Sequence, residues 1–345
     1  VVTGTPVPGT SRFSVCAKSP MTNGFGKSES GGFFGPELKF AGFDAVIVEG
    51  KADAPCYIWI KDGDVEIRDA SALWGRETGE VQEAIREAHG DKRIRVLQTG
   101  PGGEKRVRFA ALCNDLKHWN GRCGMGAVFG SKNLRAIAVR GSKRPEMKNK
   151  EEVMAFSKWF AQVGMTHEDG ISGFGMGGTS QFLTVLDGLG ILPTRNFQSG
   201  TFEHAKEICG TTMNEEVLIK RESCYACPVR CKRVVECKSD DPERNVDPTY
   251  GGPEYETLGS LGSNCGVGDL IAVCKSNEII GRYGLDVIST GMTIAFAMEC
   301  FEKGLITLED TGGLDFSWGS KDFIKIVESI CKREGFGDTL AEGSL

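Results

Sequence analysis

The sequence lacks several features that would place it in other classes of protein. Its 345 residues contain no run of about 18 apolar residues, so an ordinary membrane-spanning helix is excluded. Basic residues are spread along the chain, and 41 Lys and Arg against 47 Asp and Glu give a net charge of −6. This balance argues against a nucleic acid or an anionic membrane as a partner.

The start of the chain also lacks the pattern of a secretory signal. The segment VVTGTPVPGT has neither a charged region nor an apolar core. Thirteen cysteines in a chain without such a signal argue for reduced thiols and metal binding rather than a disulfide scaffold. We therefore expect a cytoplasmic protein. Because the chain opens without Met inside a Gly/Pro/Thr segment, we also expect that both of its ends are cut.

Two regions of different composition follow one another along the chain. Residues 1–145 alternate turn residues with short β-type runs such as DAVIVEG and CYIWIK, and Asp62-Gly63 indicates a hairpin. Helical periodicity dominates residues 146–345. The sequence thus predicts an α+β protein, with a β-rich N-terminal domain over residues 1–145 and a mostly α-helical domain over residues 146–345.

Capping residues and glycines give several elements defined ends. Thr78 is predicted to cap a helix that Gly90 stops, and Asp269 is predicted to cap a helix that Gly284 stops. The predicted helices cover residues 78–89, 150–163, 269–283, 287–303 and 321–333, and the predicted strands include residues 95–99, 106–112 and 134–139.

A compact array of cysteines stands in the stretch RESCYACPVRCKR. Cys224, Cys227 and Cys231 have C-x2-C-x3-C spacing, with a proline after the second cysteine. Three thiolates so close together favour an iron–sulfur centre. A zinc knuckle normally brings two Cys pairs, or a Cys pair with a His pair, and a loop of unrelated buried thiols is the other alternative. A radical-SAM cluster uses the opposite order of spacers.

A second motif is the glycine-punctuated stretch NGRCGMGAVFGSKNLRAIAVRG over residues 120–141. Glycines allow backbone N–H groups to approach an anion or a flat cofactor, and Arg122 adds a forked donor. The stretch is not a dinucleotide-binding fingerprint, because no clear strand precedes it and no acidic ribose partner follows about 20 residues later. A plain turn-rich loop therefore stays an alternative.

These motifs occur together and in a recognisable order. The cysteine array, the GRCGMGAVFGSKNLRAIAVRG loop, LPTRNF and GPEYETLGSLGSNCG resemble the aldehyde ferredoxin oxidoreductase family of tungsten-pterin enzymes. The resemblance implies a β-rich base beneath a bis-molybdopterin cofactor and helical bodies that close over it. It further implies that Cys224, Cys227 and Cys231 hold three corners of a [4Fe–4S] cluster. The fourth cluster ligand and the family's catalytic histidine are expected outside this chain.

The same resemblance implies residues that hold the pterin. Asp286 lies in a second pterin element, in which Gly284-Leu285-Asp286 match the family and Gly281 replaces its leading acid. Asp286 can equally act as the N-cap of the helix that follows it, or do both. The other implied pterin ligands are Arg12, the turn Ser30-Gly31-Gly32 and the loop Gly121-Arg122-Cys123-Gly124.

The resemblance also implies two catalytic residues. Glu256 corresponds to the family's acid near the metal and Tyr255 to its neighbouring hydroxyl. A carboxyl group beside a buried site has a raised pKa, which suits acid–base work near neutral pH. The histidines carry no assigned role and are expected to be surface or internally satisfied residues: His89, His118, His167 and His204.

The implied activity is oxidation of aldehydes to carboxylic acids at a bis-pterin tungsten or molybdenum centre. Electrons would pass through the cluster to ferredoxin or another iron–sulfur carrier, in a homodimer or a complex with a small iron–sulfur subunit. Tungsten and molybdenum are held through the same dithiolene sulfurs, so the sequence does not separate them. One alternative is a tungsten-pterin subunit of a larger reductase complex of the benzoyl-CoA reductase type. Another is a non-catalytic iron–sulfur or zinc protein.

Overall fold

The computed structural model describes residues 2–167 and 171–344 of the chain. Helix accounts for 40% of the residues and strand for 17%, and most strands precede residue 141 whereas most helices follow it. This arrangement confirms the α+β class. The division into two domains near residue 146 stays a prediction.

Ten strands occur in the described part of the chain. In chain order they are β1 (Phe13–Lys18), β2 (Phe25–Ser30), β3 (Cys56–Lys61), β4 (Asp64–Asp69), β5 (Arg95–Gln98), β6 (Leu112–Asn114), β7 (His118–Asn120), β8 (Leu134–Arg140), β9 (Leu218–Glu222) and β10 (Lys232–Val235).

The α-helices of the described residues are mostly short before residue 270 and longer after it. In chain order they are α1 (Phe34–Phe40), α2 (Thr78–His89), α3 (Pro101–Glu104), α4 (Met125–Ser131), α5 (Lys150–Trp159), α6 (Ser172–Gly177), α7 (Phe182–Gly188), α8 (Gly210–Glu216), α9 (Tyr255–Thr257), α10 (Leu270–Tyr283), α11 (Val287–Glu302), α12 (Phe323–Lys332) and α13 (Phe336–Leu340). None of these helices is long and apolar enough to cross a membrane.

A six-stranded mixed sheet in the order β4-β3-β8-β5-β6-β7 forms the centre of the N-terminal region. Strands β3 and β8 run parallel, and the other neighbours run antiparallel. The hairpin between β3 and β4 is confirmed, since Lys61 pairs with Asp64 and the two turn residues Asp62 and Gly63 have φ of 49° and 108°. Positive φ at both positions matches the turn that best fits twisted strands.

Alternation along the strands gives the sheet an apolar layer on each face. Ile58 and Ile60 of β3 enter one core, and Tyr57 and Trp59 enter the other. A third and larger core lies among the helices that follow. It also takes in Phe109 from the N-terminal region, so the two regions are packed together.

The predicted starts of the long helices are largely confirmed. Asp269 caps α10 by accepting hydrogen bonds from the N–H groups of Ile271 and Ala272, and Gly284 ends that helix with φ of 76°. The prediction for α2 was wrong in one respect, because Glu77 and not Thr78 stands at its N-cap position. The buried Thr78 hydroxyl instead donates to the carbonyl oxygen of Gly281 at 2.9 Å, which ties α2 to α10.

Two predicted strands are absent from the described structure. Only Leu112 of residues 106–112 lies in a strand, because the preceding residues turn into the helical core, where Val107 and Phe109 are fully buried. The run DAVIVEG is unpaired, although Val46 and Val48 pack against one face of the sheet. Hydrophobicity alone signalled burial in both cases, but a strand also needs a hydrogen-bonding neighbour.

The part of the glycine-punctuated motif that precedes β8 is largely helical rather than a loop. Its middle forms α4, its end forms β8 as predicted, and β7 precedes it. Glycines allow α4 to lie against α3 and its surroundings. A Cβ on Gly130 would lie 1.9 Å from the carbonyl oxygen of Gly103, and one on Gly126 would lie 2.3 Å from that of Ala111. Part of the glycine pattern therefore serves packing.

We predict that Gly130→Ala destabilises the protein by roughly 1–3 kcal/mol, because the added methyl group meets a backbone carbonyl that cannot rotate away. Urea unfolding measures this change. Gly188→Ala is the matched control, since Gly188 is helical, exposed and has no atom within 4 Å of an added Cβ. We expect Gly188→Ala to be neutral or to stabilise by up to about 1 kcal/mol. Equal free energies of unfolding for the two variants would contradict the packing role of Gly130.

Candidate metal and cofactor site

The cysteine array lies at the end of the hairpin formed by β9 and β10. Lys232 of β10 pairs with Glu222 of β9, so residues 223–231 form the connecting loop that carries all three cysteines. The N–H of Cys227 donates to the carbonyl oxygen of Cys224 at 3.2 Å, which closes a turn between the first two cysteines. All three thiols are free and partly buried.

The backbone of this loop is strained directly before two of the cysteines. Ala226 and Arg230 have φ of 53° and 56°, in the left-handed region that residues with a Cβ rarely adopt. The loop is held from beneath by the buried guanidinium of Arg233, which donates to the carbonyl oxygens of Arg230 and Gly175 at 2.9 and 3.0 Å. The hairpin thus fixes an unusual loop conformation.

The surroundings of the thiols suit ligands of an iron–sulfur cluster. Burial raises the pKa of Cys227 and of Cys231, while the backbone N–H of Val229 acts in the opposite direction on Cys227. A partly buried sulfur that faces backbone N–H groups fits a cluster thiolate. Within residues 2–167 and 171–344, no three His, Cys, Asp or Glu side chains converge closely enough to hold one metal ion.

The predicted turn Ser30-Gly31-Gly32 lies against the cysteine loop. A Cβ on Gly31 would lie 2.7 Å from the Sγ of Cys224, and the N–H of Tyr225 donates to the carbonyl oxygen of Gly32 at 3.1 Å. Asn114 holds this turn by donating from Nδ2 to the Oγ of Ser30 at 3.1 Å. The structure therefore brings the turn against the cysteine loop.

His118 is buried beside the same cysteine. Its Nδ1 lies 3.8 Å from the Sγ of Cys224. Burial lowers the pKa of His118 well below its ordinary value, and the positive charges of Lys232 and Lys117 lower it further. The sequence contained no spacing that linked His118 to the array, because β7 and the hairpin meet only in the folded chain.

A cavity of about 190 Å³ lies beside the hairpin and is lined by several of the predicted residues, among them Gly121, Arg122, Glu256 and Asp286. Lys232 also lines it and directly follows Cys231 in the chain. Candidate pterin residues and the candidate cluster loop are therefore neighbours. A concave site with a few convergent polar groups is the usual form of a cofactor site.

Arg122 and Asp286 form an ion pair on the cavity wall. Their Nη1 and Oδ2 atoms are 2.7 Å apart, and the carboxylate is buried whereas the guanidinium is half exposed. Asp286 also accepts hydrogen bonds from the N–H groups of Ile288 and Ser289, which confirms it as the N-cap of α11. The carboxylate of Asp286 fixes the guanidinium of Arg122, and the remaining N–H donors of that guanidinium stay partly exposed. The role of Asp286 toward a pterin stays a prediction.

Glu256 and Tyr255 start α9 and differ in their surroundings. Burial raises the pKa of Glu256, and the negative charge of Glu254 adds to this effect. Glu254 itself is paired with Lys232. Tyr255 does not line this cavity, and its ring packs against Gly259. Only Glu256 of the two predicted catalytic residues therefore faces the cavity in this structure.

Three other predicted pterin residues lie away from this cavity. Arg12 is exposed, pairs with Glu29 at 3.5 Å and borders a separate cavity of about 430 Å³. The thiol of Cys123 donates to the carbonyl oxygen of Lys27, and Gly124 packs against Pro20. Their roles toward a cofactor stay predictions.

Among the cavity residues that the sequence interpretation missed are Lys232, Trp119 and Tyr250. Lys232 carried a usable signal, because a basic residue directly after a ligand cysteine can balance the charge of a cluster. Trp119 and Tyr250 carried none. A Cβ on Gly281 would lie 3.4 Å from Tyr250 and 3.6 Å from Trp119, so these aromatic rings border the place where the family pattern has an acid.

Comparison with known proteins gives matches over nearly the whole chain. A family model described as the N-terminal domain of aldehyde ferredoxin oxidoreductase matches residues 1–141, and one described as its domains 2 and 3 matches residues 155–345. The chain is 44% identical, over 99% of its length, to a tungsten-containing aldehyde ferredoxin oxidoreductase of Pyrococcus abyssi. The chain belongs to the aldehyde ferredoxin oxidoreductase family.

Other relatives show the breadth of this family. The chain is 43% identical to the tungsten-containing aldehyde ferredoxin oxidoreductase of Pyrococcus furiosus, over 99% of the chain and 56% of that protein. It is 33% identical to an aliphatic sulfonate oxidoreductase, WOR-like subunit, of the same organism, over 96% of the chain and 54% of that protein. The chain thus spans about half the length of the curated relatives it matches; for the P. abyssi protein the share is 56%.

A solved structure shares the fold. The active site complex of benzoyl coenzyme A reductase with 1,5-dienoyl-CoA superposes with a TM-score of 0.80 at 29% identity, over 99% of this chain and 52% of that chain. Proteins that share this fold therefore differ in the substrates that their names give.

We predict that Glu256→Gln raises the Tm at neutral pH. A raised pKa in the folded state means that the unfolded chain loses this proton first as pH increases, so the carboxyl group destabilises the fold from its ordinary pKa of 4.5 upward. The variant lacks that penalty. The difference in Tm between the variant and the unsubstituted protein should therefore be near zero at pH 4. It should grow as the pH rises above the ordinary pKa of 4.5.

Thermal melts across that pH range, with both proteins in the same cofactor state, measure the difference. Glu309→Gln is the control because Glu309 is exposed, and its Tm difference from the unsubstituted protein should not change with pH. A Tm difference for Glu256→Gln that is equally flat would contradict the desolvation of Glu256.

Proposed function

We propose that this chain forms part of an enzyme that oxidises aldehydes to carboxylic acids at a tungsten or molybdenum bis-molybdopterin centre. Electrons leave through a [4Fe–4S] cluster to ferredoxin or another iron–sulfur carrier. The observation that carries the proposal is the adjacency of the two candidate sites, since Lys232 lines the cavity and directly follows Cys231. The 44% identity to a tungsten-containing aldehyde ferredoxin oxidoreductase supports it.

The residues present fit both groups. Cys224, Cys227 and Cys231 would hold three corners of the cluster, and a ligand outside this chain would hold the fourth. Arg122, fixed by Asp286, would bind an anionic part of the pterin through its outward donors. When bound, the pterin metal centre supplies two-electron oxidation, and the cluster carries electrons away singly.

Glu256 is the group best suited to move a proton in the cavity. Oxidation of an aldehyde with water yields a carboxylic acid, two electrons and two protons. Because burial raises the pKa of Glu256, its carboxylate is a stronger base than an exposed one and can accept a proton from the attacking water. Tyr255 is proposed to donate to the substrate carbonyl after local rearrangement, since its ring now packs against Gly259.

The compartment and partners follow from the same chemistry. All thirteen cysteines, which lie in the described residues, are free thiols, and we infer that the protein works in a reducing cytoplasm. A carrier that accepts single electrons, such as ferredoxin, is required to regenerate the centre. We propose that the working protein is a homodimer or is joined to a small iron–sulfur subunit.

A second candidate is a tungsten-pterin subunit of a larger reductase complex. The 0.80 TM-score with the benzoyl coenzyme A reductase complex favours this alternative. That structure is 29% identical to the chain, whereas the P. abyssi aldehyde enzyme is 44% identical. The aldehyde reaction is therefore the first candidate.

We expect the full-length protein, purified without air, to contain about four irons and one tungsten or molybdenum per chain. Elemental analysis measures this. Cys227→Ser should lose iron because one corner of the cluster lacks its thiolate, whereas Cys16→Ser, at an exposed thiol, should retain it. Zinc with neither tungsten nor molybdenum, from cells supplied with both metals, would contradict the proposed function.

We expect the loaded protein to reduce a viologen dye when an aldehyde is added. Glu256→Gln should lower kcat by about 10²–10⁴-fold, the usual contribution of a general base. Gln198→Ala, at an exposed side chain that donates a hydrogen bond to Glu302, is the control and should retain the rate. If the cofactor-containing protein did not oxidise aldehydes but did oxidise a dienoyl-CoA, the result would favour the reductase candidate instead.

A further inference from the structure

One contact at the cysteine loop is not used by the proposed reaction. The Nδ1 of His118 lies 3.8 Å from the Sγ of Cys224, within the range of a hydrogen bond to sulfur. A sulfur bound to iron carries no hydrogen. The contact can therefore be a hydrogen bond only with Nδ1–H as donor and the thiolate as acceptor.

The imidazole ring is held in place from several sides. The side chain of His118 is buried, at 4% exposure, and its residue pairs with Asn114 in the ladder between β6 and β7. Asn114 also donates from Nδ2 to the carbonyl oxygen of His118 at 3.3 Å. A Cβ on Gly32 would lie 2.9 Å from two atoms of the ring. The ring therefore has little freedom to turn away from Cys224.

Two neighbouring residues complete this enclosure. The ring of Phe33 stands edge-on to the imidazole with centroids 6.4 Å apart. The Sγ of Cys224 is confined on another side by Gly31, where a Cβ would approach it to 2.7 Å. Donor and acceptor are thus both fixed by packing that does not depend on the hydrogen bond between them.

We propose that His118 is a positioning residue that donates a hydrogen bond to the Cys224 thiolate and so raises the reduction potential of the cluster. A hydrogen bond withdraws electron density from the ligand sulfur and stabilises the reduced, more negative cluster. This inference rests on the cluster in the proposed function. It assigns to His118 a part in setting how readily the cluster accepts an electron.

The test is a redox titration of the cluster, followed by electron paramagnetic resonance, in the full-length protein. His118→Leu removes the donor and should shift the potential to a more negative value. His118→Asn is the matched variant, because its Nδ2 occupies nearly the position of the imidazole Nδ1, and its potential should stay close to that of the unsubstituted protein. Equal potentials for all three proteins, or equal shifts in both variants, would overturn the inference.

A second measurement starts from the unsubstituted protein and uses a variant only to assign the signal. In protein labelled with 15N-histidine, pulsed electron paramagnetic resonance of the reduced cluster should detect a weak coupling to one histidine nitrogen, and His118→Asn should abolish it. A cluster present without such a coupling would refute the role of His118 and leave the proposed function intact. A protein that binds no cluster would instead refute both.

Discussion

The close approach between the Ser30-Gly31-Gly32 turn and Cys224 is the constraint on which the site depends. A Cβ added to Gly31 would lie only 2.7 Å from the Sγ of Cys224. A side chain at this position would therefore push the β-rich region and the cysteine hairpin apart. Asn114 secures the turn from the sheet side. The N–H of Tyr225 secures the cysteine loop on the other side. Backbone groups thus meet directly where the two regions join.

The position of the hairpin explains why the two candidate sites are neighbours. Lys232 starts β10, so it is the next residue after Cys231 and also part of the cavity wall. Its pairing with Glu254 keeps a positive charge beside thiols that become anionic when they bind metal. Burial raises the pKa of Glu256, and the negative charge of Glu254 adds to this effect. Charge at the cysteines and proton affinity in the cavity are therefore linked through a short series of contacts.

Local sequence signals predicted the elements whose ends are fixed by their own residues. The hairpin at Asp62-Gly63, the start of α10 at Asp269 and the start of α11 at Asp286 depend on turn and capping chemistry that is local to the chain. The cysteine spacing likewise identified its loop. The strand predicted at residues 106–112 was wrong, because an apolar run does not reveal whether it will pair as a strand or turn into a core.

The rest of the site could not be predicted because it depends on contacts between distant parts of the chain. His118 meets Cys224 across 106 positions, and Arg122 meets Asp286 across 164. No spacing rule describes such pairs. The family resemblance supplied Arg122, Asp286 and Glu256 as candidates, but it did not indicate that Lys232, Trp119 and Tyr250 would share their cavity.

The strained backbone before Cys227 and Cys231 has a consequence for how the protein matures. Left-handed conformations at Ala226 and Arg230 cost roughly 1–3 kcal/mol each for residues with a side chain. In the proposed enzyme, bonds between the thiolates and iron would offset this cost, so insertion of the cluster and final ordering of the loop would be coupled events. Glycine at either position would relax the empty loop and also remove part of the preorganisation that favours cluster capture. The strain in this loop would then set the balance between an easily folded precursor and a tightly held cluster.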